Sequence, residues 1–418
     1  MDEELTNEII DFNIPNAPTE KRTLSRRGFV SGITTAAMLP WLIGSEQNVH
    51  AQVSDSEISA RNIARQAGAG LIMRQREPEN YEFAFSTLDN FLTPNDHFYV
   101  RSHFATPALE AAEWRLRVEG AVQHPFTLSY AELLALPSRR LQSTLECAGN
   151  GRVYLSPSAR GVQWEQGAVS TTEWTGIPLA ALLARAGVDA TAVEVVLEGA
   201  DIGEIKDPPR PPGPMHFARS LPISKALQQD VLIAYRMNGS ELPISHGFPA
   251  RAAVPGWYGM ASVKWLTRIL VVNQPFQGYF QTIDYAYWQR NGSLATRVPV
   301  TEMQVKASIA KPAFREIIPA GSTYRINGVA WSGEAEVTKV EISTNGGQTW
   351  ESAHLQSKPM PYTWRFWEYV WNVPAKSGRV ALIVRATDAR GNVQPLKHDP
   401  DRDHYMINYA VPIMVEIR

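Results

Sequence analysis

The residues with the most chemical promise sit in one run, Glu146-Cys147-Ala148-Gly149-Asn150-Gly151-Arg152, where a thiol is followed by two glycines, an amide and a cation. Such a run makes a tight loop rather than a helix interior, because glycine reaches backbone conformations closed to other residues. Gly149 and Gly151 let backbone approach a ligand closely, while Arg152 favours the thiolate and attracts anions. A lone cysteine is more often a buried structural residue, and a Cys/His hydrolase drawing on His103, His216 or His246 is open on spacing alone. The glycine-rich loop tips the balance toward a thiolate that holds a ligand.

Two further segments suit an anionic ligand. They are Phe98-Tyr99-Val100-Arg101-Ser102-His103 and Ser245-His246-Gly247-Phe248-Pro249-Ala250-Arg251, the latter continuing to Pro255-Gly256 and Ser262-Val263-Lys264-Trp265. Arg101 and Arg251 each follow an apolar or small residue, whereas a solvated face tends to show clustered charge. Singly, each reads as a surface Arg or a structural ion pair. With His103, His246 and Lys264 they suggest phosphate and oxyanion binding.

Cys-Ala-Gly-Asn, Tyr-Val-Arg-x-His, His-Gly-Phe-Pro-x-Arg and Ser-Val-Lys-Trp-Leu occur here in the order in which they occur in the sulfite oxidase family, which the chain resembles from about Asn80 to its end. The resemblance implies an α+β molybdopterin-binding domain followed by an immunoglobulin-like β-sandwich that mediates homodimerisation, with one molybdenum–molybdopterin per chain. It makes Cys147 the protein ligand to the metal. Tyr99, Val100, Arg101, Ser102, His103, Asp201, His246, Arg251, Ser262, Val263 and Lys264 match the pterin and phosphate contacts. Arg101 and Arg152 match the cations that bind a substrate oxyanion, Trp164 a pocket wall, and Tyr285 the active-site tyrosine. The implied activity is oxidation of sulfite to sulfate, with electrons passed to an external cytochrome c-type acceptor. One departure bears on the substrate. The family carries a further pocket Arg in a Trp-Asn-Leu-Arg segment, where this chain reads Met406-Ile407-Asn408-Tyr409-Ala410. Arg402 or Lys397 could supply that cation, or the enzyme could act on another substrate, for instance as a sulfoxide or N-oxide reductase. A non-catalytic binding protein built on the sandwich is a further alternative, which the intact Cys147 loop argues against.

The elements that must position these residues fall into two textures. From Asn80 to about Asn273 short apolar runs mix with helical stretches, an α+β pattern within a domain taken as 80–299. Ser129-Tyr130-Ala131-Glu132 has capping-box spacing and predicts a helix to Leu136, and a second helix is predicted over Pro178–Ala186 with Gly187 past its end. Predicted strands are Trp114–Glu119, Ala192–Leu197, Val231–Tyr235 and Leu266–Val272, and Asp207–Pro214 is too proline-rich for anything but a surface loop. From about Val300 to residue 418 short alternating segments predict the sandwich: Thr323–Trp331, Lys339–Thr344, Trp350–His354, Phe366–Trp371, Val380–Thr387 and Ile413–Ile417, with a hairpin turn at Asn345-Gly346.

A chain of 418 residues with 44% hydrophobic content exceeds what one core usually serves, in keeping with two domains. With 40 basic and 42 acidic residues it offers no general field for nucleic acid or anionic membrane, so anion specificity must be local. The start of the chain, with Arg26-Arg27-Gly28-Phe29-Val30, an apolar stretch to about Gly44 and Val49-His50-Ala51, reads as a twin-arginine export signal over residues 1–51. That predicts a mature chain starting near Gln52, with a lead segment over 52–79 and a periplasmic or otherwise exported location. No second apolar run approaches a membrane span. A single cysteine excludes an intramolecular disulfide and a Cys-x-x-Cys-His haem site, so electrons are expected to go to a separate carrier.

Overall fold

A computed structural model describes residues 70–418; the expected export signal and most of the expected lead segment lie outside the described residues. Ordered pairing begins before Asn80, because Leu71–Gln75 forms an antiparallel hairpin with Asn80–Phe83, which then pairs with the short strand Val100–Arg101. Two five-stranded sheets follow. One runs in the order Phe126–Ser129, Arg115–Gly120, Leu266–Val272, Glu194–Gly203, Met215–Pro222. The other runs Ser240–Glu241, Leu232–Met237, Val169–Pro178, Arg139–Glu146, with Arg251–Ala253 also paired to Leu232–Met237.

Helices are short here, and their ends follow local rules. Tyr130–Ala135 is capped by Ser129, whose hydroxyl accepts from the Glu132 N–H while the Glu132 carboxylate accepts from the Ser129 N–H. Leu179–Ala186 starts behind Pro178 and stops at Gly187, whose φ of 68° is left-handed. Its Leu179, Leu182, Leu183 and Ala186 pack into the main core. The proline-rich segment 207–214 is a loop between paired strands Glu194–Gly203 and Met215–Pro222. Among the described residues no helix is long and apolar enough to cross a membrane.

The C-terminal part is a sandwich of two sheets. Lys306–Lys311, Thr323–Trp331, Arg365–Asn372 and His354–Leu355 form one, and Ile317–Ile318, Ile413–Ile417, Gly378–Asp388, Val337–Ser343 and Glu351–Ser352 the other. Their inner faces bury Ile326, Val340, Trp367, Trp371, Leu382 and Val415 in one core. At the Asn345-Gly346 turn, Gly346 and Gly347 take φ of 71° and 93°, and the Ser343 hydroxyl accepts from the Gly347 N–H at 2.8 Å. The sandwich is stitched to the sheets before it: the Trp364 N–H donates to the Thr144 hydroxyl at 2.7 Å, and Lys225 pairs with Glu334 at 2.6 Å.

Candidate active site

Strand ends deliver the chemically promising residues to one place. Cys147 directly follows the strand Arg139–Glu146, and Lys264 and Trp265 lead into Leu266–Val272. Asp201 lies in Glu194–Gly203 where the pairing register with Met215–Pro222 slips between Glu198 and Ile202, an irregularity that re-aims side chains. His246 ends a single 3-10 turn, Ile244–His246, and Arg251 opens the strand Arg251–Ala253. Gly247 between them has φ of 110°, and a Cβ there would sit 3.1 Å from the Cβ atoms of both Arg251 and Lys264. Only glycine lets those two cations share the corner.

These residues line a cleft of about 610 Å³, the space at its open mouth included. Of the residues singled out in the sequence, Tyr99, Arg101, Ser102, His103, Cys147, Asp201, His246, Arg251, Ser262, Lys264 and Tyr285 all face it. Val100 and Val263 are buried in the segments beside it, Val100 paired with Tyr81 and the Val263 carbonyl accepting from the Ala252 N–H at 2.8 Å. Trp164 is wholly buried in the cluster that contains Cys147, and its indole N–H has no partner. Arg152 lies behind the cysteine loop: its guanidinium donates to the carbonyls of His404 at 3.2 Å and Val162 at 2.9 Å and sits 5.4 Å from the Tyr405 ring centre. The structure adds Phe98, Ser245, Met260 and Phe217 to the lining, residues with no chemical signal of their own in the sequence.

The cations are held by neutral acceptors. Arg251 donates to the carbonyls of His246 and Ser262, each at 2.9 Å, and Lys264 to the Ser102 hydroxyl and the Ser245 carbonyl, each at 2.8 Å. Arg101 donates to the Ser102 carbonyl and, at 3.4 Å, to the Asn80 side-chain oxygen. None of the three makes an ion pair with a carboxylate among the described residues. Burial and the neighbouring Arg251 push the Lys264 pKa down to about 7, and burial pushes Asp201 up to about 6 against the pull of Lys264. His246 is driven down to about 3 by burial, then by Arg251 and Lys264, so it is neutral and its Nε2 donates to the Asn95 carbonyl at 3.1 Å. Burial also holds His103 neutral and raises the Tyr285 phenol; the two meet at 2.7 Å, with the His103 ring stacked on Phe217.

The arrangement fits a molybdenum–pterin group. A soft thiol stands at the wall, a buried Arg251 and the half-buried Arg101 and Lys264 make no ion pair with a carboxylate among the described residues and suit a phosphate, and Asp201 Oδ1 is buried without a partner, an acceptor for the N–H groups of a heterocycle. Comparison with known proteins agrees. Residues 103–280 match the oxidoreductase molybdopterin binding domain family and residues 297–403 the Mo-co oxidoreductase dimerisation domain family. The chain is 35% identical to sulfite oxidase of Gallus gallus over 347 residues, 78% of this chain and 73% of that one. The chain belongs to the sulfite oxidase family.

It is therefore a molybdopterin-dependent oxidoreductase of the sulfite oxidase type, and the matched domain implies a molybdenum–pterin cofactor. The mitochondrial sulfite oxidase of Rattus norvegicus is 33% identical over 73% of this chain, which spans only 58% of that protein's length. In fold, this family member is similar to the sulfane dehydrogenase SoxCD from Paracoccus pantotrophus, with a TM-score of 0.71 and 25% identity, covering 88% of this chain and 92% of that one.

Arg402 and Lys397 do not line the cavity; Arg402 instead bonds the Asn408 side chain at 3.1 Å and faces Asp399 at 3.4 Å. The segment that departs from the family pattern lies close by, with the Met406 N–H donating to the Ala148 carbonyl at 2.8 Å. Tyr405 packs on Tyr285 with ring centres 4.6 Å apart and donates its hydroxyl to Asp284. Neither Asp284 nor Tyr405 stands out in the sequence, since only the chain's return from the sandwich brings Tyr405 here.

Proposed function

We propose that the protein oxidises sulfite to sulfate, taking the added oxygen from water and releasing two electrons and two protons, the electrons leaving to an external cytochrome-type acceptor. The observation that carries this reading is the meeting of Cys147, Arg101 and Tyr285 on one cavity whose other wall is cationic. Bound there through Cys147 with its phosphate toward Arg251 and Lys264, the molybdenum–pterin would supply the two-electron chemistry. Arg101 would hold the oxyanion beside the thiolate, and Tyr285, its hydroxyl set by His103 at 2.7 Å, would offer a hydrogen bond to the substrate oxygen. We further propose that the protein is exported by its twin-arginine segment and works as a homodimer through the sandwich.

A second reading is favoured by the segment around Tyr405. Arg152 is already engaged by the carbonyls of His404 and Val162, and Asp284 with Tyr405 adds a carboxylate and a phenol behind Tyr285. A reduced sulfur compound or other substrate carrying less charge than sulfite would suit such a wall. The test is to purify the protein, assay molybdenum, and titrate with sulfite under an artificial electron acceptor. Molybdenum with sulfite turnover supports the first reading, molybdenum without it the second, and protein that gains no metal on cofactor reconstitution overturns both.

A further inference from the structure

Beside the cavity, the cysteine loop rests on a buried ion pair whose two residues do not line it. Lys306, which opens the first sandwich strand, reaches Glu146 Oε1 at 2.9 Å, and both side chains are almost fully buried. The three ammonium protons have three acceptors: Glu146 Oε1, the Asn150 carbonyl at 3.2 Å and the Ile407 carbonyl at 2.8 Å. The carboxylate is equally committed. Its Oε1 also accepts from the Asn150 amide at 3.0 Å, and its Oε2 accepts from the Trp331 indole at 2.9 Å. Asn150 passes the restraint on, since its side-chain oxygen accepts from the Ala168 N–H at 3.1 Å, while the Ala168 carbonyl accepts from the Cys147 N–H at 2.9 Å.

We propose that Glu146 and Lys306 are positioning residues that clamp the Cys147 loop from the sandwich side, so that the metal-ligating thiol is placed by both parts of the chain. A buried pair is a poor source of stability by itself, because desolvation consumes most of the attraction; removing one partner, however, strands a charge in the interior. That asymmetry gives the clamp a signature. Each single removal frees the loop, and removing both charges together restores most of its order. The inference rests on Cys147 being the metal ligand, but its anchoring can be read without metal, because Cys147 is the chain's single cysteine.

The experiment compares Glu146→Gln, Lys306→Met and the double variant. In cofactor-free protein, the rate at which a thiol reagent modifies Cys147 at one fixed pH should rise at least about tenfold in each single variant and fall back toward the parent in the double. Should Lys306→Met fail to fold, Lys306→Gln, which keeps a hydrogen-bond donor without the charge, serves in its place with a rise of the same direction expected. In the loaded enzyme, a redox titration of the metal should move negative for Lys306→Met, which leaves an extra anion behind the thiolate. It should move positive for Glu146→Gln and return in the double. Unchanged modification rates, or effects that simply add, would overturn the clamp. Loss of molybdenum binding in the parent itself would instead remove the ligand assignment, with the modification rates still deciding whether the loop is anchored.

Discussion

The two walls of the cavity solve different problems. On one, Arg251, Lys264 and neutral His246 come from two segments of the first part of the chain and spend their hydrogen bonds on backbone carbonyls and a serine hydroxyl. Asp201 pulls only on Lys264, and Arg251 has no carboxylate partner among the described residues, so an anionic group is favoured there. On the other, Tyr285 is backed by Tyr405, Asp284 and Arg152, so a cation and a carboxylate stand close together behind the lining and the last stretch of chain supports the wall from outside the cavity. A wall of surplus charge suits retention of a fixed anionic group; a mixed wall suits discrimination among substrates. On the proposed function, cofactor binding and substrate choice draw on different parts of the sequence.

The largest expected effect lies where the walls meet. Cys147→Ser should abolish turnover while shifting the unfolding free energy of cofactor-free protein by no more than about 2 kcal/mol, measured by denaturant titration. Retained activity would remove the thiolate from the metal. On the cationic wall, Lys264→Met should reduce molybdenum retention by about tenfold or more, read by metal analysis after dialysis, while leaving cofactor-free protein as stable as the parent or more so. The parent fold must bury an ammonium whose pKa is already lowered by desolvation and Arg251, and methionine relieves that cost. A variant that loses stability but keeps its metal would break the division of labour between the walls.

On the mixed wall the effects should be smaller and substrate-dependent. Arg152→Ala should raise the KM for an anionic substrate several-fold more than for a neutral one, and Tyr405→Phe should change kcat/KM by about tenfold at most with metal content intact. Equal effects on both substrate types would argue against a role in charge selection. The last comparison concerns pH. His246 stays neutral in the folded chain down to about pH 3, whereas an unfolded histidine takes up a proton near pH 6.5. The stability it preserves is therefore complete above the unfolded pKa and is lost as pH falls below it, by about 1.4 kcal/mol per pH unit. His246→Gln should flatten the fall in stability between neutral pH and pH 5 in cofactor-free protein; an unchanged slope would show that other groups control it.

Much of the scaffold was legible because the signals are local. The Ser129 capping box, the strands Leu266–Val272, Thr323–Trp331 and Ile413–Ile417, and the turn after Ser343 each depend on neighbours in sequence. The strand Val169–Pro178 was not among the expected ones: its Ser170, Thr171 and Thr172 are fully buried, so no polar–apolar alternation marks it. At the site, Arg251 and Lys264 were legible as cations beside a glycine, and the structure explains the glycine by the closeness of their Cβ atoms.

The sequence by itself determined the chemistry on offer: one thiol in a glycine-rich loop, cations in apolar settings, and two domain textures. Tertiary structure alone decided which groups meet. Glu146 and Lys306 are 160 residues apart, His103 and Tyr285 are 182 apart, and Arg152 finds its carbonyl 252 residues away. No local periodicity encodes such pairs, because the energy that selects them comes from satisfying buried polar groups once the sheets have closed around them.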